Sequence, residues 1–329
     1  MKILAIRAGR VGDIVMITPA LQAIIDVYPD AELHLLTSPD GRRVLKGFAP
    51  QVTKLIVHDR KSLLAFYHLK KVEAALHAEN YDKVFCFELN PRFSDLSKRL
   101  SDNAFCIDYS NESAHYSRRC LDVVARSVGK PLQDYWISLP VTDEARTRSR
   151  AILAEENISD DTFVIGLHPT YSGLKKVAWR RSKDAGRLWP AQSFADLAKL
   201  IAAYGKEHGL DICIMMDLMP DEVDVGEEIV RLSGGAATML VPPLDFERYK
   251  ATLERMNILV IANTGPMHIA GAVGTHVVAF FGDVPPTDSA AYVADGQNVN
   301  MVPPSKEIAN ITPQQAFEAC KTFFPRPNS

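Results

Sequence analysis

The chain has 329 residues, more than one average core holds and enough for two α/β domains of about 150 residues each. Hydrophobic residues make up 47% and charged residues 23%, which excludes a disordered chain. Lysine and arginine number 37 against 40 acids, and the net charge of −3 gives no global nucleic-acid signal, so any anion site must come from local clustering.

Residues 2–7 (KILAIR) read as an opening strand, followed by a small, polar loop at Ala8-Gly9-Arg10. Helical spacing follows in PALQAIIDVYPD, with Thr18 suited to its cap and Pro19 to its first turn. A start as early as Asp13 leaves Pro19 as an early kink. ELHLLTS, KLIVHD and KVFCFEL are strands two to four, with helical stretches between most of them, 61–79 included. Residues 137–145 (ISLPVTDEA) read as a linker, and a helix at 144–156 leads into the second half. There FVIGLHP, DICIMMD, TMLVPP, ILVIAN and HVVAFFG are strand candidates, with helices at 193–208, 221–233, 246–255 and 265–273. This alternation predicts two doubly wound, Rossmann-like domains, 1–156 and 157–329. Neither carries GxGxxG, and ligand loops at the carboxyl ends of the strands imply a cleft between the domains. The last helix, TPQQAFEACKTFF, has a periodicity that fixes no packing direction.

The cysteines at 86, 106, 120, 213 and 320 form no CxxC pair and read as thiols of a reducing compartment. The N-terminus lacks the apolar run of a signal peptide, and no stretch approaches the roughly 18 apolar residues that span a bilayer. A cytoplasmic protein is expected.

Four places carry candidate chemistry. Asp13, in Arg10-Val11-Gly12-Asp13 after strand one, is either a general base for an acceptor hydroxyl or a cap for the following helix; spacing does not decide between them. Asn263-Thr264-Gly265-Pro266-Met267-His268 follows a strand and opens a helix. Its free N–H groups and positive helix end suit a diphosphate. His268 there is either a phosphate contact or a packing residue. The stretch 170–190 holds Lys175, Lys176, Arg180, Arg181, Lys183 and Arg187 against one acid, Asp184, and offers cations to a leaving phosphate. Asp217 to Glu222 (DLMPDE) suits either ribose hydroxyls or the first turn of a helix. No P-loop, HExxH, GxSxG or DxD pair is present. Group transfer from an activated sugar fits this inventory.

Taken in order, Gly12-Asp13-Ile14 with Thr18-Pro19-Ala20-Leu21, His168-Pro169, Arg187-Leu188-Trp189-Pro190, Asn263 to Ala270 (NTGPMHIA) and Phe281-Gly282 resemble glycosyltransferase family 9. That family includes the ADP-heptose:lipopolysaccharide heptosyltransferases. The resemblance spans nearly the whole chain and implies a GT-B fold with an N-terminal acceptor domain and a C-terminal nucleotide-sugar domain. It also implies that the last helix, about 312–325, crosses back to the N-terminal domain. The implied reaction is an inverting transfer of heptose from ADP-heptose to an anionic, lipid-linked core sugar at the inner face of the cytoplasmic membrane. It needs no cofactor or bound metal, and no nucleic-acid partner. Asp13 matches the family's general base, and Gly12 and His168 fall in its loops. Arg187, with Lys183 nearby, matches the basic residue that meets the diphosphate. Glu222 matches an acid for the nucleoside or sugar, and Thr264, Gly265 and His268 match the phosphate-binding turn. Asn263 stands where the family usually has aspartate, the segment from His168 to Trp189 is longer and more basic, and Asp283-Val284-Pro285 replaces a Pro-Thr pair. The rival readings are a GT-B transferase with another nucleotide sugar and a non-catalytic binding protein. Arg42, Arg43, Arg92, Lys98, Arg99, Arg118 and Arg119 are either acceptor-binding groups or ordinary surface cations.

Overall fold

The computed structural model describes residues 1–59, 65–108, 113–171 and 188–325, with 65–69 as backbone. Two compact units divide it, Met1–Pro140 and Val141–Ser329. The division falls inside the linker stretch 137–145 rather than after residue 156.

In the first unit β1 (Lys2–Arg7), β2 (Glu32–Thr37), β3 (Val52–Val57), β4 (Lys83–Cys86) and β5 (Ala104–Cys106) form one parallel sheet in the order β3-β2-β1-β4-β5. The helices are α1 (Val11–Val15), α2 (Thr18–Val27), α3 (Pro39–Val44), α4 (Ala65–His77), α5 (Pro91–Leu100) and α6 (Tyr116–Val128). Both faces of the sheet are covered, so the central strand reads as a continuous apolar run; Ile3, Leu4 and Ile6 are fully buried. The first helical stretch is two helices. Thr18 Oγ1 donates to the Val15 carbonyl at 2.8 Å, and Pro19 sits in the first turn of α2 rather than kinking a longer helix. β5 escapes periodicity because it is three residues long and lies at the sheet edge.

The second unit begins with α7 (Asp143–Glu155), capped by Thr142 Oγ1, which accepts from the Ala145 amide at 3.2 Å. Its strands β6 (Phe163–His168), β7 (Ile212–Asp217), β8 (Thr238–Leu240), β9 (Ile258–Ala262), β10 (His276–Phe280) and β11 (Asn298–Met301) form a parallel sheet in the order β11-β10-β9-β6-β7-β8. The helices are α8 (Ala191–His208), α9 (Val223–Ser233), α10 (Phe246–Arg255), α11 (Gly265–Ala272), α12 (Pro286–Ser289) and α13 (Pro313–Lys321). α7 belongs here because it is tied to α10: Arg146 forms a forked pair with Glu254 at 2.7 and 2.8 Å, and Ser149 Oγ meets Thr252 Oγ1 at 2.8 Å.

The last helix contributes its apolar face to the core of its own unit. α13 turns its apolar face to α8 and the second sheet, where Ala316, Phe317 and Cys320 join the core around Ile201 and Phe280. The Trp189 indole N–H donates to the Ile311 carbonyl at 2.7 Å and fixes the approach to that helix. No described helix is long and apolar enough to cross a membrane.

Candidate active site

Each sheet has one topological switch point, between β1 and β4 in the first unit and between β6 and β9 in the second. There the chain leaves adjacent strands toward opposite sides, so the loops part and open a crevice at the carboxyl ends. The described candidate residues sit at these two places or, for Glu222, one strand further along.

In the first unit Asp13 lies in α1, directly after β1. Its Oδ2 accepts from the Arg10 amide at 2.9 Å, so the capping alternative is realised. Its Oδ1 also meets the Arg7 guanidinium at 3.0 Å, and its side chain keeps 36% exposure, so capping does not remove it from solvent. Gly9 explains how the loop comes so close: a Cβ there would lie 2.4 Å from the Asp13 Cβ. The loop is clamped from β2, where Ser38 Oγ donates to the Gly9 carbonyl at 2.6 Å and Thr37 Oγ1 to the Arg7 carbonyl at 2.8 Å. Gly12 is half-buried in the same first turn.

Arg7, Glu88 and Tyr116 are absent from the sequence candidates. Glu88 follows β4 and is 2% exposed; its carboxylate meets Arg7 Nη1 at 3.4 Å and accepts from the Ala8 amide at 2.7 Å. Tyr116, at the start of α6, lies beneath the Arg7 guanidinium at 4.8 Å from the ring centroid. Burial works against the Arg7 charge. Tyr116, Asp13 and Glu88 outweigh it and hold the guanidinium above its ordinary range. The available signal was a charge closing an otherwise apolar strand.

In the second unit the end of β6, the loop after β7 and the turn after β9 meet at the same edge. Glu222 is 8% exposed and precedes α9. One oxygen accepts from Thr170 Oγ1 at 2.5 Å and the other from the Met219 amide at 2.9 Å, joining the β6 and β7 loops. His168 Nε2 lies 3.4 Å from the same Thr170 hydroxyl. Burial lowers the His168 pKa, with the Glu222 carboxylate opposing. Asp217 is committed elsewhere, in a buried pair with Arg248 at the start of α10. Burial raises its pKa and the arginine opposes the rise.

Next to β6, β9 delivers Asn263 to His268. Asn263 Nδ2 donates to Ser289 Oγ at 3.0 Å, a contact no sequence spacing announced. Thr264 is the N-cap of α11 yet makes no side-chain cap bond, and its Oγ1 is buried with no hydrogen-bond partner among the described residues. Gly265 and Pro266 begin the helix, where proline suits a position whose N–H is free anyway. His268 is 4% exposed. Lys183, Arg187 and the rest of the basic run from Lys175 lie outside the described residues. Of the basic residues in the first unit, Arg43, Arg99 and Arg118 are each engaged by a neighbouring acid, Asp40, Glu73 and Asp122. No described group of three His, Cys, Asp or Glu is arranged to hold a metal.

A family model described as glycosyltransferase family 9 (heptosyltransferase) matches residues 107–317. A lipopolysaccharide core heptosyltransferase of Haemophilus influenzae, OpsX, is 20% identical over 293 residues, 87% of this chain and 80% of that protein. Among solved structures, a family 9 glycosyltransferase of Veillonella parvula superposes with a TM-score of 0.81 at 18% identity, covering 98% of this chain and 96% of that one. The Escherichia coli heptosyltransferase WaaC with ADP gives 0.73 at 17%, covering 98% and 100%, and the E. coli ADP-heptose heptosyltransferase II 0.72 at 17%, covering 98% of each. These likenesses show the heptosyltransferase fold, GT-B, with its two parallel-sheet α/β domains.

Proposed function

We propose, from the premise that the chain belongs to glycosyltransferase family 9, that it moves a heptose from ADP-heptose to an anionic, lipid-linked sugar of the lipopolysaccharide core. The glycosyltransferase activity comes with the family. Donor and acceptor are the finer reading, supported by relatives that act on the lipopolysaccharide core or carry bound ADP.

The observation that carries the donor side is Thr264. A buried hydroxyl without a partner costs about 1–3 kcal/mol, and an oxygen of a bound diphosphate would complete this one. It belongs to the N-cap residue of a helix at a switch point, where the positive helix end suits a diphosphate. In the reaction, Asp13 takes the proton of the acceptor hydroxyl as that oxygen attacks the anomeric carbon. The bond to the diphosphate breaks on the opposite face, inverting the centre. Charge released onto the leaving nucleoside diphosphate is taken up by the α11 N-terminus, Thr264 and Arg187, with no step assigned to a metal. Glu222 and Thr170 bind the ribose or sugar hydroxyls. The protein works in the cytoplasm, at the membrane face that presents the acceptor.

Asn263 supports a second reading, a different donor sugar, because an amide tied to Ser289 replaces the family's usual carboxylate. Calorimetric titration of ADP, UDP and GDP tests the nucleotide. Clear preference for ADP is expected; preference for UDP or GDP overturns the ADP-heptose assignment, and no binding at all overturns donor binding at this turn.

A further inference from the structure

The Arg7 guanidinium is held from three elements at once. It closes β1, meets Glu88 at 3.4 Å and the Phe87 carbonyl at 3.5 Å after β4, and lies over Tyr116 of α6. Tyr116 in turn donates its hydroxyl to the same Phe87 carbonyl. Glu88 is fixed by the Ala8 amide at 2.7 Å. With a side-chain exposure of 9%, Arg7 is a rigid, nearly dry cation. Among the described residues its Nη2 reaches outward to Asp13 Oδ1 at 3.0 Å.

Asp13 is thereby held at both oxygens, Oδ1 by Arg7 and Oδ2 by the Arg10 amide. A carboxylate offers about four lone-pair sites, so two fixed contacts orient the group and leave acceptor capacity toward solvent. Resting on the reading of Asp13 as general base, we propose that Arg7 is a positioning residue for it, anchored by Glu88 and Tyr116. Arg7 touches no substrate in this role. It removes the rotational freedom of the base, and misplacement of a reacting group by about 1 Å can cost on the order of a hundredfold in rate.

The competing view is that Arg7 only ties the ends of β1 and β4 together. A double-mutant cycle separates the two. Arg7→Met is made together with Glu88→Gln, so that no buried carboxylate is left unpaired, and Arg7→Lys is made as the charge-keeping variant. Steady-state transfer is measured in wild-type and Asp13→Asn backgrounds. The expected result is a kcat lower by roughly 10- to 100-fold for the Arg7/Glu88 pair, with acceptor KM and donor affinity unchanged. Arg7→Lys recovers most of kcat, and the pair adds no more than about twofold to the Asp13→Asn defect. An effect that multiplies in full in the Asp13→Asn background, or that falls on acceptor KM, overturns the positioning role and leaves the base standing. Wild-type kcat in Asp13→Asn itself sinks the general-base reading. If the paired variant does not fold, Arg7→Gln, which keeps a hydrogen-bond donor toward Glu88 but removes the charge that meets Asp13, carries the same comparison in the two backgrounds.

Discussion

At the scale of single residues the second unit contains a measurable conflict between stability and function. Thr264 Oγ1 is buried without a partner among the described residues, so replacing it with the isosteric valine removes a desolvated polar atom and none of the described hydrogen bonds. Thr264→Val is expected to keep or raise the thermal midpoint while weakening ADP binding by about tenfold, the worth of one hydrogen bond to a charged oxygen. Calorimetry beside a melting curve checks both at once; a lower midpoint with unchanged ADP affinity would show the hydroxyl to be structural. Glu222 behaves differently, because both of its oxygens already bind the protein, at Thr170 and Met219. Those two bonds orient the carboxylate, and its remaining lone-pair sites are what it offers a ribose or sugar hydroxyl on the proposed reading.

At the scale of elements, the turn from β1 into α1 is the most constrained piece of the first unit. Ser38 and Thr37 clamp its carbonyls, and Gly9 leaves room for Asp13. Gly9→Ala would bring a methyl group 2.4 Å from the Asp13 Cβ, and backbone must move to relieve it. We expect a large loss of kcat with ADP affinity intact, since the second unit is untouched; an unaltered kcat would show that the turn has slack. The same elements explain what was readable beforehand. KILAIR and ILVIA announced themselves because parallel strands buried on both faces are unbroken apolar runs. β11 (NVNM) did not, being a polar, four-residue edge strand. Asp13 and Thr264 were visible as loop residues between a strand and a helix. Arg7 was not, because its partner Glu88 is 81 residues away and only the sheet order brings β1 and β4 side by side. The packing of α13 was equally hidden, since an amphipathic face says that a helix is covered and not by what.

At the scale of the whole molecule, the two sheets repeat one plan. Each is parallel, each opens with its central strand, and each places its candidate chemistry at or beside the switch point where neighbouring loops diverge. The first unit presents a carboxylate held by an arginine. The second presents a helix end with an unpaired hydroxyl and a carboxylate-hydroxyl pair. On the proposed reading the first unit supplies the base, Asp13, and the second the α11 helix end that takes the leaving diphosphate. The most direct measurement is to incubate the protein with ADP-heptose and an anionic, lipid-linked core acceptor in the presence of a chelator, and to determine the anomeric configuration of the product by NMR. The account predicts a heptosylated acceptor of inverted configuration, formed at the same rate with and without chelator and slowed by about 10²- to 10⁴-fold in Asp13→Asn. A product of retained configuration, or release of ADP with no heptose on the acceptor, would contradict it.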